Sequence, residues 1–109
     1  MKNDKCTVLN FTERLGGKWK LPIINAIRKN ETLRFGKIHQ IVDGISRKVL
    51  TEQLKALEYD GLIIRRQYEE IPPRVEYSLT NKSRGLCEVF QAIDKWSRAI
   101  DKWSRIEDK

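Results

Sequence analysis

Residues 62–79 hold two runs of alternating apolar and polar side chains, separated by the short loop EEIPPR. Alternation with a period of two predicts strands, which we place at Leu62–Tyr68 and Val75–Leu79. Proline has no N–H group and fixes φ, so Pro72 and Pro73 favour a stiff projecting tip that does not pair with another sheet edge. The sequence therefore predicts a β-hairpin wing at about residues 62–79.

Three helices are predicted before residue 45 from apolar residues at helical spacing. The first spans residues 8–15 and ends at two glycines, and the second begins near Trp19, because Pro22 is tolerated only in or near the first turn. A third helix follows the polar turn NET and ends at an Asp-Gly pair. Its inward-facing side chains are expected to be Phe35, Ile38, Ile41 and Val42.

A fourth helix begins after Ser46, which is a favourable N-cap residue. Leu50, Leu54 and Leu57 lie within about 60° of one another at 100° per residue, so they form one narrow apolar stripe. The opposite face carries Lys48, Thr51, Glu52, Lys55 and Tyr59. Two helices joined by a short turn and followed by a hairpin are the order of a winged helix-turn-helix. The fold class is thus α+β and mostly helical.

The last segment contains an internal repeat, IDKWSRA at 93–99 and IDKWSRI at 100–106. Seven-residue spacing predicts a helix at about 81–106 with two apolar rows along one side. The rows are Leu86, Ile93 and Ile100, and Val89, Trp96 and Trp103. The helix could pack on its own domain or against a second subunit. Bulky aromatic residues as far as position 103 favour the second arrangement, a long C-terminal dimerisation helix.

The length and composition of the chain limit the number of domains and the kinds of partner that we expect. The 109 residues suffice for a single domain spanning 1–109, and 22 Lys and Arg against 15 Asp and Glu give a net charge of +7. This balance favours polyanionic partners, nucleic acid or an anionic membrane surface, although a generically basic soluble protein is the alternative. The sequence has neither a membrane-spanning apolar run nor the pattern of a signal peptide. We therefore expect a cytoplasmic protein with no membrane partner.

The sequence gives little evidence for catalysis or for metal binding. Two cysteines are too few for a disulfide scaffold, and a single histidine leaves no cluster with metal-ligand spacing. No nucleophile, metalloprotease or phosphate-loop motif occurs. The chain is not expected to be an enzyme, and no catalytic residue, metal or cofactor is predicted.

A DNA interface is predicted at the fourth helix, which would enter the major groove. Backbone N–H groups and the helix dipole favour phosphate at its N-terminal end. The predicted DNA-binding residues of this helix are Ser46, Arg47, Lys48, Thr51 and Lys55. Arg34, at the start of the third helix, is expected to reach the DNA backbone, and Arg74, at the hairpin tip, a minor groove or phosphate. Residues 18–37 hold six basic residues and one acid, which favours phosphate contacts there.

Several motifs in one order carry a family resemblance. They are a cysteine near the N-terminus, GGKWKLPII, LRFGKI, GISRKVLTEQLKALEYDGLIIR, PPRVEYSLT and a tryptophan in the last helix. The chain resembles the HxlR family of bacterial winged-helix transcription regulators, relatives of the MarR group. The resemblance implies a homodimer that binds double-stranded DNA at an inverted-repeat operator, more often as a repressor. It places dimer contacts on the first helix, here Val8 and Phe11, and on the last. The chain departs from the family pattern at Thr7 and Ser83.

Regulation can be interpreted in more than one way. The resemblance implies an oxidant- or electrophile-sensing thiol at Cys6, whose neighbours Lys2 and Lys5 favour the thiolate. The alternative for this residue is an inert position at the dimer interface. A small apolar effector in a dimer crevice lined by Trp19, Phe11 and the terminal tryptophans is a further possibility. So is a winged-helix module that binds protein without specific DNA binding.

Overall fold

The structure is a computed structural model that describes the backbone of residues 7–107 and the side chains of residues 7–102. Within that part of the chain the elements are α1 (Thr7–Leu15), α2 (Lys20–Asn30), β1 (Thr32–Leu33), α3 (Phe35–Ile41), α4 (Arg47–Tyr59), β2 (Ile63–Tyr68), β3 (Arg74–Leu79), α5 (Asn81–Arg84) and α6 (Leu86–Glu107). The predicted winged helix-turn-helix is confirmed. It is mostly helical and has a small antiparallel sheet.

The helix boundaries follow the local signals in the sequence. The Ser46 side chain accepts a hydrogen bond from the N–H of Val49 at 3.1 Å, which makes it the N-cap of α4. Pro22 is the third residue of α2, where its missing N–H costs no intrahelical bond. Gly61 follows the C-cap of α4 with φ +77°, a left-handed conformation that glycine adopts without a Cβ penalty.

The core lies where α2, α3 and α4 pack together and against the sheet. Its completely or almost completely buried apolar side chains are Ile23, Ile24, Ile27, Ile38, Leu50, Leu54, Leu57 and Ile63. The predicted leucine stripe of α4 is therefore confirmed. The inward placement of Ile41 is wrong, because this side chain is 44% exposed. At 100° per residue Ile41 falls about 100° from Val42, outside the stripe that Val42 shares with Phe35 and Ile38.

Among the described residues the sheet has three strands in the order β1-β3-β2, all antiparallel. Sequence patterning found β2 and β3 but missed β1, since a two-residue strand has no period to detect. The pairing of Leu33 with Tyr77 joins β1 to the base of the hairpin, and both side chains are buried. The wing is therefore anchored on the core at its base, while residues 69–73 form its tip.

The predicted C-terminal helix is divided at Gly85 into the short α5 and the long α6. A glycine is unfavourable inside a helix by about 1 kcal/mol relative to alanine. The fully buried Ser83 fixes the first part, because its hydroxyl donates to the carbonyl of Leu62 at 2.6 Å. At this departure from the family pattern, the serine ties α5 to the start of the wing. Phe90 of α6 is 8% exposed and joins the core.

Candidate nucleic-acid interface

The exposed face of α4 is the centre of the candidate site. All five side chains predicted for this face, Lys48, Thr51, Glu52, Lys55 and Tyr59, are exposed. The Thr51 hydroxyl donates to the carbonyl of Arg47 at 2.9 Å, which leaves its methyl group free for an apolar contact. The helix carries a net charge of +1, from three basic and two acidic residues, and Arg47 and Lys48 concentrate positive charge in its first turn. This turn therefore combines cationic side chains with the positive end of the helix dipole.

The first turns of α3 and α4 are in contact through Phe35 and Arg47. The guanidinium carbon of Arg47 is 5.7 Å from the ring centroid of Phe35, and the Phe35 ring stacks on His39 with centroids 6.5 Å apart. Arg34 immediately precedes Phe35, and Lys37 follows one half-turn later. Both are exposed and line a groove of about 480 Å³. Arg47 of α4 is thus in contact with α3 through Phe35, while Arg34 and Lys37 line a groove together with Glu76 of β3.

Part of the basic excess in residues 18–37 has a structural role instead. The Nε of Arg28 donates to the side chain of Asn25 at 2.8 Å, and its guanidinium lies 4.9 Å from the ring centroid of Phe90. The ammonium of Lys18 lies 4.8 Å from the Trp19 ring. Arg28 attaches α6 to α2, and Lys18 covers an indole. Fewer of the basic residues in this segment are therefore available to bind phosphate than the sequence indicates.

The wing holds Arg74 in a cluster of side chains. Its Nη1 donates to Glu76 at 2.6 Å and its Nη2 to Glu70 at 2.8 Å, while the guanidinium carbon lies 3.9 Å from the Tyr68 ring centroid. The hydrogen bond to Glu70, with that to Glu76, raises the pKa of Arg74 above its ordinary value against the opposing effect of partial burial. Direct reach of Arg74 to DNA stays a prediction, and in this structure the guanidinium binds two carboxylates. The sequence places Glu69 and Glu70 nearby but does not reveal this pairing.

Exposed apolar side chains are concentrated on α1 and α6. Of the eight large apolar side chains that are exposed among the described residues, five lie on α1 and α6: Val8, Leu9, Val89, Ile93 and Trp96. Ile100 is partly exposed. Phe11 and Leu86 pack partly against the core of their own subunit. The side chain of Trp103 and the whole of Cys6 lie outside the described residues.

Comparison with known proteins decides the family. A family model described as HxlR-like helix-turn-helix matches residues 14–104. The chain belongs to the HxlR family. A regulatory protein of Fusobacterium mortiferum, MalR, is 40% identical over 94 residues, which are 86% of this chain and 89% of MalR.

Solved structures agree with this HxlR assignment. A MarR-family transcriptional regulator from Enterococcus faecalis matches with a TM-score of 0.78 and 34% identity over 95% of this chain and 94% of its own. The redox regulator HypR in its oxidised form matches with a TM-score of 0.78 and 34% identity, covering 86% and 96% of the two chains. The HxlR family and the Enterococcus faecalis neighbour are transcriptional regulators, which are not enzymes. The chain is a transcriptional regulator of this type.

The other expectations for the HxlR chain are placed as follows. Trp19 lines a surface cavity of about 380 Å³ between α2 and the end of α3, with Pro22 and Ile41 among its walls. Phe11 and Trp96 do not line it, so the described side chains do not assemble the expected crevice within one subunit. Cys87 is partly buried and its thiol is free. The described part of the chain contains no acidic, histidine and cysteine cluster that could hold a metal, and no described helix is suited to crossing a membrane.

Proposed function

We propose that the protein is a homodimeric, sequence-specific DNA-binding repressor that recognises an inverted repeat. The observation that carries this proposal is the surface formed by the first turns of α3 and α4. Arg47 and Lys48 are exposed there in the first turn of α4, and Arg34 and Lys37 are exposed at the start of α3, where Phe35 contacts Arg47. An exposed helix with a basic first turn has the shape and charge to enter a major groove.

Roles follow from position on this surface. Arg47 and Lys48 donate to guanine O6 and N7, and the Thr51 methyl contacts a thymine methyl. Lys55 and Arg34 bind phosphates on either side of the groove, and these contacts position α4 without reading sequence. Ser46 keeps α4 capped where it meets the DNA backbone.

The second part of the proposal is a dimer formed through α1 and α6. In a single subunit Val8, Val89, Ile93 and Trp96 are exposed, and burying such side chains stabilises an assembly by about 25 cal/mol per Å² of apolar surface. A two-fold axis through this seam would present two copies of α4 to DNA. Two reading helices with that symmetry would recognise two half-sites in inverted orientation.

The third part is control by a thiol. We propose Cys6 as the sensing residue, supported by the redox regulator HypR among the structural neighbours and by the basic residues Lys2 and Lys5 near it in sequence. Cationic neighbours lower a thiol pKa and raise the thiolate fraction that reacts with oxidants.

Selection of binding sites from random duplex DNA tests the proposal directly. We expect the reduced protein to enrich an inverted repeat whose half-sites lie about one helical turn apart, with binding that weakens as salt rises. A thiol oxidant should release the recovered site from the parent but not from Cys6→Ser. Recovery of unrelated sequences with salt-labile binding would show a nonspecific binder. If a site is enriched and the oxidant releases it from both the parent and Cys6→Ser, the sensing role of Cys6 is rejected but the DNA-binding proposal stands.

Ser46 offers a test that separates folding from DNA contact. Ser46→Ala removes the cap and should lower the free energy of unfolding by about 0.5–2 kcal/mol. Ser46→Asp keeps a capping oxygen and so should unfold like the parent, yet its carboxylate should repel phosphate and weaken operator binding more than alanine does. Urea denaturation should show that Ser46→Ala is the less stable variant, and operator titration should show that Ser46→Asp is the weaker binder. If Ser46→Ala is both the less stable variant and the weaker binder, Ser46 lies away from the DNA backbone.

A further inference from the structure

The wing is electrically neutral in a protein of net charge +7. Residues 65–76 contain three arginines and three glutamates. In the winged helix-turn-helix arrangement the wing lies beside the helix that enters the groove. A wing that served mainly to attract phosphate would carry an excess of positive charge. The neutrality therefore calls for an explanation based on how the charges are arranged.

Strand register puts the partners of Arg74 on one face of the sheet. Tyr68 is paired with Arg74, and Arg66 with Glu76, so these four side chains project from the same side. Glu70 reaches the same guanidinium from the loop. The buried side chains at the base of β3 project from the opposite side. The cluster therefore lies outside the core, on the wing itself, where it affects what the wing presents to a partner.

Arg74 has its charge neutralised more completely than an isolated surface arginine. Each of its two terminal nitrogens donates to a different carboxylate, and one face of the guanidinium lies on an aromatic ring. The Arg74 side chain is 25% exposed and that of Glu76 is 20% exposed, whereas the Glu70 side chain is 49% exposed. Both ends of the loop are bound through this one guanidinium.

We propose that Glu70 and Glu76 mask Arg74, so that the wing contributes shape rather than charge to DNA binding and raises selectivity for the operator over other DNA. The inference rests on the proposed DNA-binding function. Arg74 acts here as a positioning residue, because it holds the two ends of the wing loop. Glu70 and Glu76 determine the specificity for the operator over other DNA. Nonspecific binding depends on the number of phosphates neutralised, so a masked arginine lowers it, while base contacts from α4 are unaffected.

Two alanine variants that differ by one position provide the test. Glu70→Ala removes a carboxylate bound to Arg74, and Glu69→Ala removes the same charge from the neighbouring exposed residue, which is not bound to Arg74. Affinity for a duplex without the operator is measured between 50 and 200 mM salt. A newly freed phosphate contact steepens the slope of log affinity against log salt by about 0.9. Glu70→Ala should therefore lose up to about 3.5-fold more affinity per subunit over this range than Glu69→Ala.

The Arg74→Met background shows whether the arginine is the cause. In that background Glu70→Ala and Glu69→Ala should have equal salt slopes, because neither can free a guanidinium. In the Arg74 parent, Glu70→Ala should also reduce the ratio of operator to non-operator affinity, whereas Glu69→Ala should change this ratio less. If Arg74→Met is unstable in thermal melting, the comparison of Glu70→Ala with Glu69→Ala in the Arg74 parent is sufficient to test the proposal.

The outcomes separate the two proposals. Equal salt slopes for Glu70→Ala and Glu69→Ala in a protein that binds its operator would overturn the masking and leave the proposed function in place. An unchanged operator ratio in Glu70→Ala would overturn the link to selectivity. A folded parent without salt-dependent DNA binding would overturn the proposed function, and the role of the wing with it.

Discussion

Ile93→Glu is expected to convert the proposed dimer to a monomer and to reduce affinity for a two-half-site operator by at least about 100-fold. The Ile93 side chain is 45% exposed in the single subunit and lies between Val89 and Trp96 on the seam of α6. Burying an apolar side chain of this size contributes about 1.5–3 kcal/mol, and a two-fold interface contains it twice. A carboxylate in its place would be buried without a partner, which costs several kcal/mol more.

Sedimentation velocity and operator titration would measure this effect. Gln91→Glu is the matched control, because it introduces the same charge on the same helix but on the side away from the seam. The control should remain a dimer with parental affinity. At protein concentrations low enough to dissociate the parent dimer, both variants should melt at the same temperature as the parent. A dimeric Ile93→Glu protein with parental operator affinity would move the subunit interface away from α6.

Arg47→Ala and Lys48→Ala are expected to give the second large effect, a loss of about 1–3 kcal/mol per base contact, or about 2–6 kcal/mol for a dimer that makes each contact twice. Both side chains are exposed in the first turn of α4. Neither belongs to the core, so the free energy of unfolding should change by less than about 1 kcal/mol, which for Arg47 includes the lost contact with Phe35. The loss should therefore appear in binding and not in stability.

Titrations with operator and with unrelated duplex DNA would separate base reading from phosphate binding. A base-reading residue should lose operator affinity and relax the sequence preference at one position, whereas a phosphate contact weakens both duplexes alike. Lys95→Ala, at an exposed position of α6, is the charge-matched control and should bind as the parent does. If Arg47→Ala and Lys48→Ala both bind the operator with parental affinity, α4 is not the reading helix.

Elements with strong local signals could be predicted from the sequence. Ser46 begins α4 and Gly61 follows its end because a side-chain cap and a left-handed glycine act within a few residues. The leucine stripe and the two hairpin strands were equally clear, since each repeats its period several times. The exposed face of α4, and with it the greater part of the proposed reading surface, followed from that stripe.

Features that depend on distant partners were missed or placed differently. The strand β1 exists because Thr32 and Leu33 pair with β3, more than forty residues away. Phe90 was overlooked as a core residue because its contacts come from other elements, including Arg28 of α2. Ile41 shows the opposite case, since an apolar residue near a helix end does not reveal whether anything covers it.

The sequence by itself determined the order of helices and strands, the polar and apolar faces of α4, the repeated seam of α6 and the resemblance to the HxlR family. These properties are local or periodic, so the chain encodes them in neighbouring residues. Only the tertiary structure decided which charges remain available. It placed Arg47 over the Phe35 ring of α3, used Arg28 to hold α6, and enclosed Arg74 between Glu70 and Glu76. A formal charge belongs to one residue, but its electrostatic effect depends on the groups that folding places around it.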